Sequence, residues 1–261
     1  MIELFGSAGR AMLPVAGLAI LCILLEYASP KERHTLRARL FGFLLLVLTP
    51  ALVVLASYPL NLAWAAIGVE PLLDLSPLHP VLAGAILLLV YDLLRYVEHR
   101  LEHRIWWPVH AVHHSPRELH VANSYAHPAM AVTEFLVVII PLSLIGQRDI
   151  PVAVAAIVAF QNLIIHSPTR FHLGPLRALI VDSRFHRIHH SLDPRHHGRN
   201  FGFVFTVWDR LFGTAYWPAK DEWPDVGVAG LEPPRSVGDY LLHPLRHMRR
   251  RPSGTAARHE A

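Results

Sequence analysis

Five stretches of apolar sequence constrain this chain before any single residue does. They cover residues 11–29, 40–64, 80–96, 129–145 and 150–165. A helix needs roughly 20 apolar residues, in a range of about 17–25, to cross a bilayer. The first two stretches meet that length; the third and the last pair sit at its lower limit. In hydrocarbon every backbone N–H and C=O must be satisfied within the structure, so an apolar segment of this kind has to be helical. The expected fold class is therefore all-α: an integral membrane helical bundle of four to five apolar segments. Only Gly146, Gln147, Arg148 and Asp149 separate the last two, which predicts a hairpin that just crosses the bilayer or stops short of crossing. Composition agrees: 52% of the residues are hydrophobic and 17% charged, against about 25% charged in soluble domains.

Charge placement gives an orientation. Lys31, Arg33, Arg37 and Arg39 follow the first stretch, and Arg100, Arg104 and Arg117 follow the third. The loop between the second and third holds Glu70 and Asp74 but no Lys or Arg, and Arg10 and Arg148 are the basic residues left on that side. The positive-inside rule then places the N-terminus outside and the C-terminus in the cytoplasm. The first stretch lacks the basic flank and small-residue cleavage site of a removed leader, so it is expected to stay as a helix. After Ser167 the chain turns rich in His, Arg, Pro and Gly, which predicts a histidine-rich cytoplasmic cap. From about Arg249 the tail has the composition of a disordered segment that touches anionic headgroups. The net charge of +4 lies beside apolar spans and gives no nucleic-acid surface. The single cysteine, Cys22, excludes an internal disulfide and a Cys-rich zinc module.

Histidine is the unusual residue, with 19 copies. His99 and His103 stand four apart directly after the third stretch. His110, His113 and His114 repeat as H-x-x-H-H, and His186, His189 and His190 repeat that spacing. Positions i, i+3 and i+4 share one face of a helix, so each group presents its imidazoles in one direction. Imidazole suits Fe, Zn, Cu and Ni, and eight such donors exceed what one tetrahedral ion takes. Two metal ions with four or five ligands each fit the supply. The all-neutral donor set leaves positive charge to be balanced by an oxygen ligand.

The three boxes in this order resemble the fatty acid hydroxylase / sterol desaturase superfamily of membrane di-iron enzymes. The resemblance runs over residues 80–217. It is carried by Asp92 to His103, by His110 to Ser115, by His186 to Ser191, by Asn200-Phe201-Gly202, and by Trp208 to Gly213. It implies two Fe ions, O₂ as co-substrate, and hydroxylation or desaturation of a membrane lipid of fatty acyl, sterol or isoprenoid type. An external electron donor, a ferredoxin or a cytochrome with its reductase, is expected, and the charge placement puts the metals on the cytoplasmic side of a bacterial inner membrane. A further ligand is implied between the second and third boxes, where His166 stands; Pro168 replaces an Asn of the family pattern, and His172 is a second candidate. His127-Pro128 followed by Glu134 resembles a His-Pro element near the family's site, with Tyr125 in place of an Arg. That makes His127 a candidate ligand or ligand neighbour.

Asp92 is the one acid inside the third stretch. Ionisable groups there are costly and face the protein interior, and Asp92 lies two helical turns before His99, so it is expected to orient a liganding imidazole. His196 and His197 are expected in a solvated loop. The chain divides into N-terminal membrane helices over 1–79, a catalytic domain over 80–217 and a cytoplasmic tail over 218–261. Two enzymatic alternatives share the same centre: ether-lipid cleavage and carotenoid oxygenation. A metal transporter would place its ligands near the bilayer midplane, and a zinc hydrolase would need an H-E-x-x-H motif that this sequence lacks.

Overall fold

A computed structural model describes residues 17–123, 125–146, 152–170 and 173–249. His172, Arg10, Arg148 and the tail beyond Arg249 lie outside the described residues. The fold is mostly helical. After α1 (Gly17–Ala28), α2 spans Leu36–Ile67 and α3 spans Pro80–Ile105. At 1.5 Å per residue their 32 and 26 residues reach about 48 and about 39 Å, against a hydrocarbon core of about 30 Å. These are the two helices long and apolar enough to cross a membrane among the described residues. Leu40, Leu44, Val47, Val54, Leu55 and Leu62 of α2 are exposed. An outward-facing apolar surface of that length matches lipid rather than water.

Sequence chemistry sets the ends of these helices. The Thr35 hydroxyl accepts from Ala38 N at the start of α2, and Gly68 closes it with φ 68°, a conformation glycine takes without strain. His79 and Pro80 open α3. Trp106 breaks the helix, and α4 (Trp107–His114) turns the second histidine box back toward the first.

The fourth and fifth stretches are shorter than the first pair. Helix α5 (Pro128–Ser143) contains a π-helical turn at Phe135–Ile139, and α6 covers Val152–Ile164. Their connection carries β2 (Ile145–Gly146), which pairs in parallel with β1 (Leu73–Asp74) in the α2–α3 loop. Leu73 N donates to Leu144 O at 3.1 Å and Leu75 N to Gly146 O at 2.8 Å. The two helical hairpins are thus tied together at the end away from the histidines.

The segment after Ser167 folds over the opposite end. It carries α7 (Ser183–His189), capped by Asp182, then α8 (Val207–Leu211) and α9 (Val237–Arg249). Leu88, Ile165, Val181, Phe185, Phe203 and Val204 pack as one core. Leu45, Val112, Tyr125 and Tyr240 form another, which joins all three parts of the division expected from sequence.

Candidate metal centre

The three histidine boxes converge. His99 and His103 come from the last turns of α3, His110, His113 and His114 from α4, His186 and His189 from α7, and His190 from its end. With His166, which follows α6, they sort into two groups. One holds His99, His103, His110, His114 and His189; the other holds His113, His166, His186 and His190. Within each group the donor nitrogens lie within 4.8 Å of one another. His114 and His190, one from each group, stack with centroids 4.3 Å apart, so the two groups adjoin.

The protons of these rings are assignable. A carbonyl oxygen only accepts, so a ring nitrogen facing one must carry the hydrogen. His99 Nδ1 donates to Phe201 O at 3.0 Å, His113 Nδ1 to Tyr125 O at 3.1 Å, His166 Nδ1 to Asn162 O at 3.0 Å, and His189 Nδ1 to Arg199 O at 2.9 Å. Their Nε2 atoms then hold lone pairs, and these point into the groups. His113 and His166 Nε2 lie 3.4 Å apart with no proton to share. His99 Nε2 is buried with no hydrogen-bond partner. Other inward Nε2 pairs lie at 3.0–3.2 Å.

Burial keeps these rings neutral. It lowers the His113 pKa to about 4 and those of His166 and His189 to about 3. His110, His114, His186 and His190 are also held well below the usual value, by burial first and neighbouring imidazoles second. Facing lone pairs repel unless a cation lies between them. Metal–imidazole bonds of about 2.0–2.1 Å place neighbouring donors about 3 Å apart, which is the spacing found here. The residues therefore fit one metal ion in each group.

Acidic residues and main-chain carbonyls hold the rings in place. Glu102 Oε2 lies 2.9 Å from the neutral His110 ring at Nδ1, off the line of an aligned hydrogen bond, and Glu102 Oε1 accepts from Thr133 Oγ1 at 2.6 Å. Sequence reasoning missed Glu102; its place next to His103 on the helix that carries the first box was the available signal. Asp92 departs from its expected role, because no imidazole touches it among the described residues. Its carboxylate accepts from Val204 N at 2.7 Å, Phe205 N at 2.9 Å and Trp208 Nε1 at 2.9 Å. Asp92 thus anchors the loop whose Phe201 carbonyl receives the His99 proton. Asp209 holds the other side of that loop through Phe201 N, Gly202 N and Thr214 Oγ1. A Cβ on Gly202 would come within 2.7 Å of Asp209 Oδ2 and 2.8 Å of Phe205 O, so that close approach requires glycine. Asn200, at φ 59°, ties the loop to Phe185 O and to Tyr216 N.

His127 stands outside both groups. Its Nδ1 accepts from Ala129 N at 3.1 Å, capping the first turn of α5, and its Nε2 donates to Leu241 O at 3.2 Å. Both nitrogens are used, so the expectation of a ligand there is corrected. His120 packs on His34 with centroids 5.1 Å apart, also outside the groups. His196 is not solvated; it is buried between Ser191 Oγ at 2.8 Å and Glu222 Oε1 at 3.1 Å.

Residues 84–214, half of the chain and all nine grouped histidines, match the model of the fatty acid hydroxylase family. The chain belongs to the fatty acid hydroxylase family. Relatives agree with that family. The ornithine lipid hydroxylase OlsE of Rhizobium tropici is 34% identical over 140 residues, 52% of this chain and 42% of its own length. The alkylglycerol monooxygenase of Danio rerio is 30% identical over 137 residues, 50% of this chain and 30% of its own. The human alkylglycerol monooxygenase is 29% identical over 125 residues, 46% and 27% of the two chains. The chain therefore spans less than half the length of these curated relatives. No solved structure matches. The fatty acid hydroxylase match begins inside α3 and ends at Thr214, so it takes in the α3–α4 hinge and the Asp92- and Asp209-anchored loop as well as the boxes.

Proposed function

We propose that this chain is a membrane-bound di-iron oxygenase that hydroxylates or desaturates a lipid. The observation that carries the proposal is the convergence of nine imidazoles from four separated stretches, the three boxes and His166, with lone pairs facing inward at 3.0–3.4 Å. The ligands are His99, His103, His110, His114 and His189 for one iron, and His113, His166, His186 and His190 for the other. Iron at both places would supply reductive activation of O₂. Hydroxylation consumes one C–H bond, one O₂, two electrons and two protons, and releases the alcohol and one water. Desaturation takes two hydrogens from neighbouring carbons and, with the same inputs, releases two waters.

The chain's own residues do the rest. The carbonyls of Phe201, Tyr125, Asn162 and Arg199 fix ring orientation and proton position. Rings held in this way need no rearrangement to bind metal. A cavity of about 710 Å³ lies between α1, α2, α3, α5 and α6, walled by such residues as Ile23, Leu46, Val158 and Phe203. A smaller space of about 70 Å³ beside the imidazoles shares Arg95, Ala126, Met130, Asn162 and Phe203 with it. A lipid in the larger cavity thereby lies against the wall that the two spaces share, next to the imidazoles. The relatives named as a lipid hydroxylase and monooxygenases support this choice of reaction.

In this reading residues 80–217 do the chemistry, the described residues 17–79 wall the lipid cavity, and the described residues 218–249 cover the metal end from the cytoplasm. The basic residues Lys31, Arg33, Arg37, Arg39 and Arg104 around the histidine end support that orientation in an inner membrane. Electrons come from an external ferredoxin, or from a cytochrome with its reductase. The test is turnover by the iron-loaded full chain in lipid nanodiscs with a ferredoxin system. Oxygen uptake matched by hydroxylated or unsaturated lipid is expected. Metal flux in vesicles without lipid oxidation would overturn the proposal in favour of a transporter.

A further inference from the structure

The large cavity is apolar along most of its walls, but not at the end nearest the imidazoles. There Arg95, Glu98, Glu134, Tyr91 and Asn162 line it. Arg95 Nη1 donates to Glu98 Oε2 at 2.5 Å. That pair leaves Glu98 Oε1 buried without a hydrogen-bond partner, on a residue only 1% exposed. The nearby Thr133 hydroxyl has one proton, and it is directed to Glu102 Oε1 at 2.6 Å or Met130 O at 2.8 Å. Glu134 shares that wall, and its charge acts on both Arg95 and Glu98. One guanidinium thus faces two carboxylates in a space whose remaining walls are hydrocarbon.

An acceptor left unsatisfied in such surroundings costs roughly 1–3 kcal/mol, and more if charged. An excess carboxylate there is best offset by a cation that also donates hydrogen bonds. We propose that this end of the cavity receives the ammonium group of a lipid, bound to Glu98 Oε1 and Glu134. The lipid enters with its amine-bearing end toward the imidazoles and its hydrocarbon along α2 and α6. Oxidation then falls on carbons close to the amine rather than far along the chain. That last statement rests on the oxygenase proposal; the docking itself rests on the cavity alone.

The test is binding, measured by calorimetry on the iron-loaded full chain in detergent, with dodecylamine, dodecanol and dodecanoate as probes of equal tail. Dodecylamine is expected to bind about tenfold more tightly than the other two, as charge-assisted hydrogen bonds exceed neutral ones. Glu134→Gln and Glu98→Gln should each bring it to the level of dodecanol. Glu134→Lys should reverse the preference toward dodecanoate, which keeps the test decisive if Glu98→Gln fails to fold. Equal binding of the three probes, or amine binding unmoved by all three substitutions, as for an amine held by the metals, would overturn the proposal. Binding needs no turnover. Glu-dependent amine binding without lipid oxidation would therefore count against the oxygenase reading alone.

Discussion

His113 and His166 face each other across 3.4 Å through their Nε2 atoms, while each gives its Nδ1 proton to a main-chain carbonyl. Two acceptors set against each other, inside a protein that satisfies nearly all its buried polar groups, mark a place made for a cation.

Removing one ring should remove its metal. His113→Ala is expected to lower bound iron from two ions per chain toward one and to cut turnover by about 10³-fold or more. His189→Ala should do the same from the other group. Metal analysis of purified protein and product formation give the two readouts, while membrane extraction stays unchanged. Full activity in either variant would sink the assignment.

Glu102→Ala should act on metal without touching a ligand. Loss of the carboxylate 2.9 Å from His110 Nδ1 frees that ring to rotate. Losing such a partner costs about 10–100-fold in metal affinity. Competition with a graded series of chelators reads this directly.

Asp92→Ala should destabilise more than it slows chemistry per folded molecule. It leaves Val204 N, Phe205 N and Trp208 Nε1 unpaired, a cost of at least about 2 kcal/mol. The melting temperature should fall, and the surviving protein should bind iron less tightly because the loop behind His99 is loosened.

His127→Ala is the contrasting case. Its ring caps α5 and reaches Leu241 O, so stability should drop by about 1 kcal/mol with the iron content unchanged. A halved iron content would restore His127 as a ligand.

The metal-free protein should weaken in acid. His113, His166 and His189 have folded pKa values of about 4, 3 and 3, below the ordinary 6.5. Below 6.5 the unfolded chain therefore binds more protons. Stability is complete above about pH 6.5 and is lost steadily as pH falls toward 4. Thermal melting of chelator-treated protein between pH 8 and 5 should show this slope. The iron-loaded protein should hold its melting temperature further into that range, since metal competes with the proton for each Nε2.

The boxes were legible from sequence because their spacing is local. Residues three and four apart share a helix face whatever the rest of the chain does, and eight of the nine grouped histidines came from such spacing. His166 came from resemblance alone, since nothing local to it repeats. Asp92 and Glu102 were harder because their partners are set by tertiary structure. Asp92 meets Val204 and Trp208 across the fold, and Glu102 meets His110 across the α3–α4 bend. Burial of the acid was foreseeable; the identity of its donors was not. His127 misled because a histidine before proline looks the same in sequence whether it caps a helix or holds a metal. The apolar segments were legible as helices, but the lengths of α5 and α6 were not, because a π turn and a short parallel ladder replace regular helix there.

The ladder of Leu73 and Asp74 with Ile145 and Gly146 also bears on biosynthesis. Its two halves belong to different hairpins, and translation delivers them in sequence. At about 5–20 residues per second, the α2–α3 hairpin waits roughly 4–14 s for the strand that completes its edge. During that interval the nascent chain exposes open main-chain groups at one end, and the emerging second hairpin is the piece that seals them.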